Sequence, residues 1–321
     1  MNKLIKVISI LFGVVLALIL IGPFLIPIPP LEDVAPVQEL ADPDSQFVQI
    51  DGIDFHYKTR GEEGPAVVLL HGFGASLYSW REVMPALGRD YRVFAYDRLA
   101  FGLTERPAAW TGENPYTRSA SVSRLEELIR VWEADPVILI GNSAGGAVAM
   151  EFALAHPEQV GALILVSPAV GSGGGPLAGL DWLIDTPQLQ RLGPLLVRRI
   201  AETGPDTIDQ AWHDPASQPG DTLPLYTKPL RAENWDLALW YFSTTGEASD
   251  LPDRLGDFDL PILVITGDDD RIVPTGSTIE VAGRLPGAEL IVLPACGHVP
   301  QEECPQAFMD AVTNFLESLE R

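Results

Sequence analysis

The stretch that decides the fold is residues 138–150, ILIGNSAGGAVAM. The apolar run that begins at Val137 predicts a buried strand, and the small residues after Gly145 predict a helix. Between them lies the pattern G-x-S-x-G, in which the flanking glycines permit a sharp turn. Such a turn lifts the hydroxyl of its serine above the edge of a sheet. Ser143 is therefore the first candidate nucleophile.

The composition narrows the class of protein. A chain of 321 residues suits one large α/β domain with room for an insertion. Its formal net charge of −23 disfavours nucleic acid as a partner, because a phosphate backbone would be repelled. With only two cysteines, the chain has neither a disulfide framework nor a cysteine-rich metal site. We predict no metal and no cofactor.

The N-terminus predicts a membrane segment. Lys3 and Lys6 precede an apolar run, Val7–Ile28, that is long enough to cross a bilayer core of about 30 Å. No small-residue cleavage pattern follows, so we expect residues 1–30 to be an uncleaved anchor and 31–46 a linker. Since the lysines come before the run, the rest of the chain is expected outside the cytoplasm. Secretion after signal cleavage is the alternative.

The first half of the globular part, residues 47–170, contains a second candidate site element. The strand predicted at 66–70 leads into His71-Gly72-Phe73-Gly74. In a serine hydrolase this loop supplies one backbone N–H of the oxyanion hole, and the residue after the nucleophile supplies the other. We therefore predict Phe73 and Ala144 as the donors. His71 is expected to support the loop.

Several motifs together resemble the α/β-hydrolase superfamily, in sequence and in order. They are H-G-F-G at 71–74, D-R at 97–98 with Gly102, G-N-S-A-G-G at 141–146 and H-P-E at 156–158. The resemblance runs from about residue 47 to the C-terminus, except for the middle of the chain. It implies a mostly parallel eight-stranded sheet flanked by helices, with an inserted helical cap.

This superfamily places its triad in the order Ser, acid, His. His298 lies in Gly297-His298-Val299-Pro300, which resembles the family's histidine loop, so we assign the base to His298. The family pattern G-x-x-D-x-x-V-P selects Asp270 as the acid. Its neighbours Asp268 and Asp269 are expected to face solvent or cap the turn, because adjacent buried carboxylates repel.

Other histidines and charges are interpreted as structural. We expect His56 to have a structural role, His213 to lie at the surface, and Asp97 to pair with Arg98.

Residues 171–250 break the alternation of strands and helices, and the core resumes at 251–321. Gly171–Gly175 predicts a flexible entry, and short helices are expected near 180–184, 195–201 and 235–242. The apolar residues of this cap either line a pocket for an apolar acyl or aromatic substrate or only pack the cap onto the core. They are Leu180, Trp182, Leu183, Leu195, Leu196, Trp235, Leu239, Trp240, Tyr241 and Phe242.

Cys296 and Cys304 flank His298. A disulfide is chemically permitted outside the cytoplasm. We nevertheless expect the two cysteines to be unlinked, because sequence spacing does not establish the close approach that a disulfide needs.

The resemblance implies a serine hydrolase that cleaves carboxylic esters through an acyl-enzyme, with a small apolar ester or acyl compound as its substrate. Carbon–carbon bond hydrolases of aromatic ring-cleavage products are an alternative, since they often share the Gly-Asn-Ser elbow. They commonly carry an aromatic residue after the histidine, where this chain has Val299. A serine perhydrolase or haloperoxidase, which uses the same triad without a cofactor, is a further alternative, and a catalytically silent binding protein another.

Overall fold

The structure is a computed structural model and describes residues 3–171, 181–245 and 248–319. The strands are β1 Gln46–Ile50, β2 Ile53–Arg60, β3 Ala66–Leu70, β4 Arg92–Tyr96, β5 Val137–Asn142, β6 Val160–Val166, β7 Ile262–Gly267 and β8 Glu289–Leu293. The helices are α1 Lys3–Leu25, α2 Val37–Leu40, α3 Met84–Leu87, α4 Arg118–Val131, α5 Ala144–Ala155, α6 Asp181–Ile184, α7 Pro187–Glu202, α8 Gly204–Ala211, α9 Thr222–Thr227, α10 Trp235–Thr244, α11 Thr275–Arg284, α12 Pro300–Glu303 and α13 Pro305–Leu319.

One eight-stranded sheet forms the centre of the molecule, in the order β1-β2-β4-β3-β5-β6-β7-β8. The pairs from β4 to β8 are parallel, whereas β2 runs antiparallel to both of its neighbours. The sequence prediction of a mostly parallel eight-stranded sheet is therefore confirmed. In such a sheet the carboxyl ends of the parallel strands meet at one edge, where the loops display functional side chains.

The central strands are apolar because both faces of the sheet are covered. Every residue of β3 and of β7 is buried. On one face the side chains Val68 and Leu70 join a core with α4, α5 and α11, and on the other face Val67 and Leu69 join a core with α3 and α13. This two-sided burial explains why β3 is an uninterrupted run of alanine, valine and leucine.

Between β6 and β7 the described residues form five inserted α-helices, α6–α10, and we call them the cap. The predicted helices near 180–184, 195–201 and 235–242 correspond to α6, α7 and α10, whereas α8 and α9 were not predicted. Trp240 of α10 packs directly on Gly193 of α7, where a Cβ would lie 2.1 Å from the indole ring. Of the predicted flexible entry, residues 172–175 lie outside the described residues, as does Leu180.

The N-terminal helix α1 carries Lys3 and Lys6 in its first turn and is apolar from Val7 onward. Residues Ile5–Leu25 have a mean hydropathy of 2.8 and fit a membrane span by length and composition. The last turns of this helix and the chain that follows it lie against the cap. Arg191 of α7 donates from Nε to the carbonyl of Pro23 at 3.2 Å, and Arg198 donates from Nη1 to the carbonyl of Pro29 at 2.8 Å.

Candidate active site

Ser143 lies at the carboxyl end of β5, in a sharp turn that depends on the glycines on both sides of it. Its φ of 53° and ψ of −120° are unfavourable for a residue with a side chain, and such strain is typical of functional turns. A Cβ on Gly141 would lie 2.6 Å from the Cα of Gly146. A Cβ on Gly145 would lie 2.2 Å from the carbonyl oxygen of Leu70. The small residues of the motif therefore let the strand, the turn and α5 approach closely.

His298 and Asp270 are in contact. His298 Nδ1 lies 2.8 Å from Asp270 Oδ2, and both residues are buried. The other carboxylate oxygen of Asp270 accepts backbone N–H groups from Ile272 and Val273, each at 2.9 Å. The carboxylate is thereby fixed with one oxygen turned to the imidazole. Ser143 and His298 line one cavity, so the structure brings the three predicted residues together at the edge formed by β5, β7 and β8.

The two aspartates before Asp270 point away from the histidine. Asp268 is exposed, and Asp269 forms ion pairs with Arg271 and with His213, the latter at 2.9 Å. Hydrogen bonds from Arg271 and His213 hold the pKa of Asp269 below its ordinary value. The expectation that these two carboxylates face solvent or cap the turn is confirmed.

The loop that carries His298 is held by backbone and side-chain bonds from three directions. The His298 N–H donates to the carbonyl of Ala211, the last residue of α8, at 2.7 Å. Asn142 Nδ2 donates to the carbonyl of His298 at 3.1 Å. Glu303 Oε2 accepts the N–H of Gly297 at 2.7 Å. The cap thus contributes directly to the position of the histidine.

Cys296 and Cys304 form a disulfide, with a sulfur–sulfur distance of 2.22 Å. The expectation of two unlinked cysteines is wrong. The chain turns back between them through the histidine loop, which brings their Cα atoms to 6.3 Å, a separation that a disulfide can bridge. Together with Glu303 they are the group of three potential metal ligands found among the described residues, but their sulfurs are bonded to each other.

The loop after β3 lies against the nucleophile turn. A Cβ on Gly72 would lie 3.2 Å from the Cβ of Ser143, so a larger residue there would force the loop or the turn to shift by a few tenths of an ångström. Phe73, the first predicted oxyanion donor, lines the same cavity as Ser143. Ala144, the second, is the first residue of α5, and N–H groups at a helix N-terminus are favourable partners for negative charge. Both predicted donors therefore belong to segments that border the nucleophile.

His71 supports this loop, as predicted. Its Nδ1 lies 2.8 Å from the carbonyl oxygen of Gly72, to which it donates, and its Nε2 accepts the N–H of Arg98 at 3.0 Å. Burial, followed by the nearby charge of Arg98, lowers the pKa of His71 to about 4. With both ring nitrogens engaged and the imidazole neutral, His71 has no proton acceptor left for catalysis.

Asp97 and Arg98 do not pair, so that prediction is wrong. Asp97 instead lies 2.6 Å from His56 Nδ1, with both side chains fully buried, which agrees with a structural role for His56. The carboxylate also fills the space over Gly102, where a Cβ would lie 1.8 Å from Asp97 Cγ. Arg98 Nη1 donates to the carbonyl of His71 at 3.0 Å. Neighbours in sequence are thus turned to opposite sides of the turn.

The cavity has a volume of about 270 Å³ and a mostly apolar wall. Its lining comprises Gly72, Phe73, Gly74, Ala75, Ala100, Phe101, Gly102, Arg106, Asn142, Ser143, Gly204, Thr207, Ile208, Ala211, Tyr226, Thr227, Pro229, Leu230, Trp235, Leu239, Ile272, His298 and Val299. Of the cap residues predicted to form a pocket, Trp235 and Leu239 line it. Trp240 packs between cap helices, and Trp182 is 72% exposed. Both interpretations of the apolar cap residues therefore hold, each for different residues.

Tyr226 and Arg106 are wall residues that sequence reasoning missed. Tyr226 belongs to α9, a short helix whose sequence has no periodic apolar pattern that would predict it. Arg106 lies in the loop after β4, where no apolar pattern indicates burial, yet it is only 4% exposed. No local pattern reveals either residue, because the cavity is formed by segments far apart in the chain.

Comparison with known proteins agrees with this architecture. The sequence profile described as alpha/beta hydrolase fold matches residues 65–305. A 2-hydroxy-6-oxononadienedioate/2-hydroxy-6-oxononatrienedioate hydrolase of Paraburkholderia xenovorans is 30% identical over 85% of this chain and 95% of its own length. A 2-hydroxy-6-oxo-6-(2'-aminophenyl)hexa-2,4-dienoic acid hydrolase of Metapseudomonas resinovorans is 29% identical over 84% of this chain and 90% of its own length.

A solved structure is similar over the full length. The crystal structure of a bacterial membrane phospholipase A has a TM-score of 0.65 and 24% identity and covers 100% of both chains, which shows a shared fold. The acids in the names of the two curated relatives contain no ester bond, so those relatives match the alternative of carbon–carbon bond hydrolysis better than ester hydrolysis. On the profile match and these relatives, the chain belongs to the alpha/beta hydrolase fold family and is a hydrolase.

Proposed function

We propose that the enzyme hydrolyses a carbon–carbon bond beside a ketone in a ring-cleavage product, with Ser143, Asp270 and His298 as its catalytic triad. The observation that carries the proposal is the similarity, at 30% identity, to a hydrolase of such 2-hydroxy-6-oxo acids over nearly its whole length. The buried pair of His298 and Asp270, next to Ser143 on an apolar cavity, supplies the chemistry.

Each residue has a defined role in this reaction. Asp270 accepts from Nδ1 of His298, which leaves Nε2 free to take the proton of Ser143 as its oxygen attacks the ketone carbon. The N–H groups of Phe73 and Ala144 hold the negative oxygen that forms. These donors need no reorganisation, because the turn and the loop are fixed by close backbone packing.

The leaving group is a carbon atom and must be stabilised as it departs. In a 2-hydroxy-6-oxo-2,4-dienoic acid, the keto tautomer delocalises the electron pair of the broken C5–C6 bond onto its 2-oxo group. The protonated His298 returns a proton to that fragment, and an acyl group remains on Ser143. Water, activated by neutral His298, then releases the second acid and restores Ser143.

The test is turnover of 2-hydroxy-6-oxo-6-phenylhexa-2,4-dienoate, which is measured as the loss of its visible absorbance. Ser143→Ala should lower the rate at least about 10³-fold while the melting temperature stays close to that of the wild type. Retained turnover in the variant would exclude Ser143 as the nucleophile. If the wild-type enzyme hydrolyses aryl esters but leaves every dienoate intact, the proposal of carbon–carbon bond hydrolysis is wrong, whereas the proposed catalytic triad stands.

Ester hydrolysis at a membrane surface is the second candidate. The specific observation that favours it is the contact of cap helix α7 with the C-terminal end of α1 and the residue that follows it, where Arg191 donates to the carbonyls of Pro23 and Ile26 at 3.2 and 3.1 Å. If α1 spans a bilayer, this contact holds the cap at the bilayer surface, where lipid esters are the abundant acyl compounds. Release of fatty acid from phospholipid vesicles, measured beside dienoate cleavage, separates the two candidates.

We also propose that residues 1–30 are an uncleaved anchor and 31–46 a linker, with a catalytic body outside the cytoplasm that consists of a core, 47–170 and 251–321, and a cap, 171–250. The apolar α1, preceded by Lys3 and Lys6, supports this arrangement. Full-length protein should sediment with membranes and be digested by protease added outside the cell, whereas a variant without residues 1–30 should not sediment. A soluble chain of reduced mass would instead favour signal cleavage.

A further inference from the structure

The segment that joins α1 to β1 packs against both the core and the cap over residues 35–45. Ala35 forms a parallel β-bridge with Ala232, which lies between α9 and α10 of the cap. The N–H of Ala35 donates to the carbonyl of Arg231 at 2.8 Å, and its carbonyl accepts the N–H of Glu233 at 3.1 Å. The chain that comes from α1 is therefore bonded to the cap through its backbone.

The apolar side chains of α2 lie between the two parts of the enzyme. Val37 and Leu40 are buried in one cluster with Leu103, in the loop after β4, and with Ala232 of the cap. These four residues are at most 8% exposed. The cluster forms where core and cap both meet the segment, so its removal of apolar surface from water favours the position that the cap has in this structure.

Asp42 extends this contact through charged groups. Lys228, which follows α9, donates from Nζ to one carboxylate oxygen at 2.6 Å, and Lys58 of β2 donates to the other at 2.8 Å. The hydroxyl of Tyr78 donates to that second oxygen at 2.7 Å. Burial of Asp42 acts to raise its pKa, but these three hydrogen bonds outweigh it and hold the pKa well below its ordinary value. The carboxylate is therefore charged and joins a cap lysine to two core residues.

Residues beside these contacts form part of the cavity wall. Thr227 and Pro229, on either side of Lys228, line the cavity. On the core side, Gly102 lines the cavity next to Leu103, which belongs to the apolar cluster. If the segment moved away from Lys228 and Leu103, wall residues of both the cap and the core would lose the contacts that fix their neighbours.

We propose that residues 35–42, which we call the strap, fix the cap over Ser143 and so determine how tightly the cavity binds a substrate. Asp42 is the positioning residue of the strap and acts through Lys228. The inference rests on the proposed function only in taking the cavity at Ser143 as the place of reaction, and it does not depend on which bond is cleaved. The proposed linker, residues 31–46, thereby has a second role in substrate binding.

The strap should influence binding more than chemistry. The triad residues follow core strands. The cap residue that accepts the N–H of His298 is Ala211, at the end of α8, whereas Asp42 contacts the cap after α9. A loosened strap therefore enlarges the space for the bound acyl group, while the nucleophile and its base keep their positions.

The test compares two lysines that donate to the same carboxylate. Lys228→Met removes the bond from the cap, whereas Lys58→Met, the matched control, removes a bond from the core and also an ion pair with Asp44. Lys228→Met should raise KM for 4-nitrophenyl butyrate about 3- to 10-fold, with kcat within about twofold of the wild type. Lys58→Met should lower the melting temperature at least as much and leave KM unchanged. Lys228→Arg, which keeps the charge, should have the wild-type KM.

Hydrogen–deuterium exchange of the full-length protein in detergent is a second measurement, and it needs no turnover. The amides of residues 228–240 should exchange about 3- to 10-fold faster in Lys228→Met and at the wild-type rate in Lys58→Met. The same amides should exchange faster in Asp42→Asn. Adding Lys228→Met to that variant should have little further effect, because the two changes remove one interaction.

Equal rises of KM in Lys228→Met and Lys58→Met would overturn the proposal, because they would indicate a general loss of stability. An unchanged KM in Lys228→Met would overturn it as well, and so would unchanged exchange. A wild-type enzyme that cleaves neither the ester nor a dienoate would reject the proposed function. Faster exchange confined to Lys228→Met and Asp42→Asn would in that case still support the strap.

Discussion

Tyr226 of the cap donates a hydrogen bond from its hydroxyl to Glu302 of the core at 2.5 Å. Arg81 Nη1 donates to the other oxygen of the same carboxylate at 2.6 Å. Tyr226 also lines the cavity with Ser143. A single buried carboxylate, four residues after His298, thus connects the wall of the substrate space to the loop of the proposed base.

Glu302 should make stability depend on pH. Burial raises its pKa to about 7 from an ordinary value of 4.5, although Tyr226 and Arg81 act in the opposite direction. A raised carboxyl pKa means that the folded state holds the proton more tightly, so this contribution is complete below pH 4.5 and is lost as the pH rises to about 7. The loss should be on the order of 3 kcal/mol.

Urea unfolding of the wild type and of Glu302→Gln between pH 4 and pH 8 measures this effect. The difference in unfolding free energy between the two proteins should fall with rising pH and level off above about 7. Glu280→Gln, a change of an exposed residue on α11, should give no such trend. A constant difference for Glu302→Gln would show that this carboxyl titrates normally.

The disulfide should stabilise the histidine loop. Closing a loop with a sequence separation of eight lowers the entropy of the unfolded chain, which corresponds to about 2 to 3 kcal/mol. Cys296→Ala/Cys304→Ala should lower the melting temperature, and a reductant should do the same to the wild type without affecting the double variant. Two free thiols found by titration of the denatured, unreduced protein would contradict the bond.

Asp270→Asn should impair chemistry more than binding. An amide cannot stabilise a protonated His298 as the carboxylate does, and its NH₂ group cannot accept from Nδ1. We expect kcat to fall about 10²- to 10⁴-fold with KM nearly unchanged. Asp268→Asn is the matched control, because that neighbouring carboxylate is exposed, and it should keep most of the activity. Equal kinetics for the two variants would remove Asp270 from the triad.

Gly72→Ala should displace the loop of the first oxyanion donor. The new methyl group would lie 3.1 Å from Asn142 Oδ1 and 3.2 Å from Ser143 Cβ, so the loop or the nucleophile turn must move by a few tenths of an ångström. Oxyanion donors stabilise the transition state only when their N–H groups point at the negative oxygen, so this shift should lower kcat about 10- to 100-fold. Gly283→Ala on α11, which meets no atom within 4 Å, should leave kcat unchanged. Full activity of Gly72→Ala would show that the loop tolerates the shift.

The features that were predictable from the sequence are those that depend on neighbouring residues. The turn at Ser143 is set by its glycines, and the strands β3 and β7 by continuous apolar runs. Asp270 and His298 each follow a strand within a short motif of spaced residues. In these cases the physical cause of the structure is local in the sequence.

The features that sequence reasoning missed depend on contacts between distant segments. The pairing of Asp97 with His56 joins residues 41 positions apart, and the position of Arg106 depends on Pro229, 123 positions away. The disulfide was missed although its cysteines are close in sequence, because the turn that brings them together is a product of the loop's tertiary anchors. Only the folded chain supplies that information.

The hydrogen bond from the His298 N–H to the carbonyl of Ala211 limits how the enzyme can change its substrate range. Exchange of the whole cap with that of a relative would also remove the acceptor that positions the histidine. Substitutions of the cavity-lining residues of α9 and α10, which follow Ala211 in the chain, leave that acceptor in place. We therefore expect new specificities, whether evolved or engineered, to arise by changes within those two helices, with residues 211–214 retained.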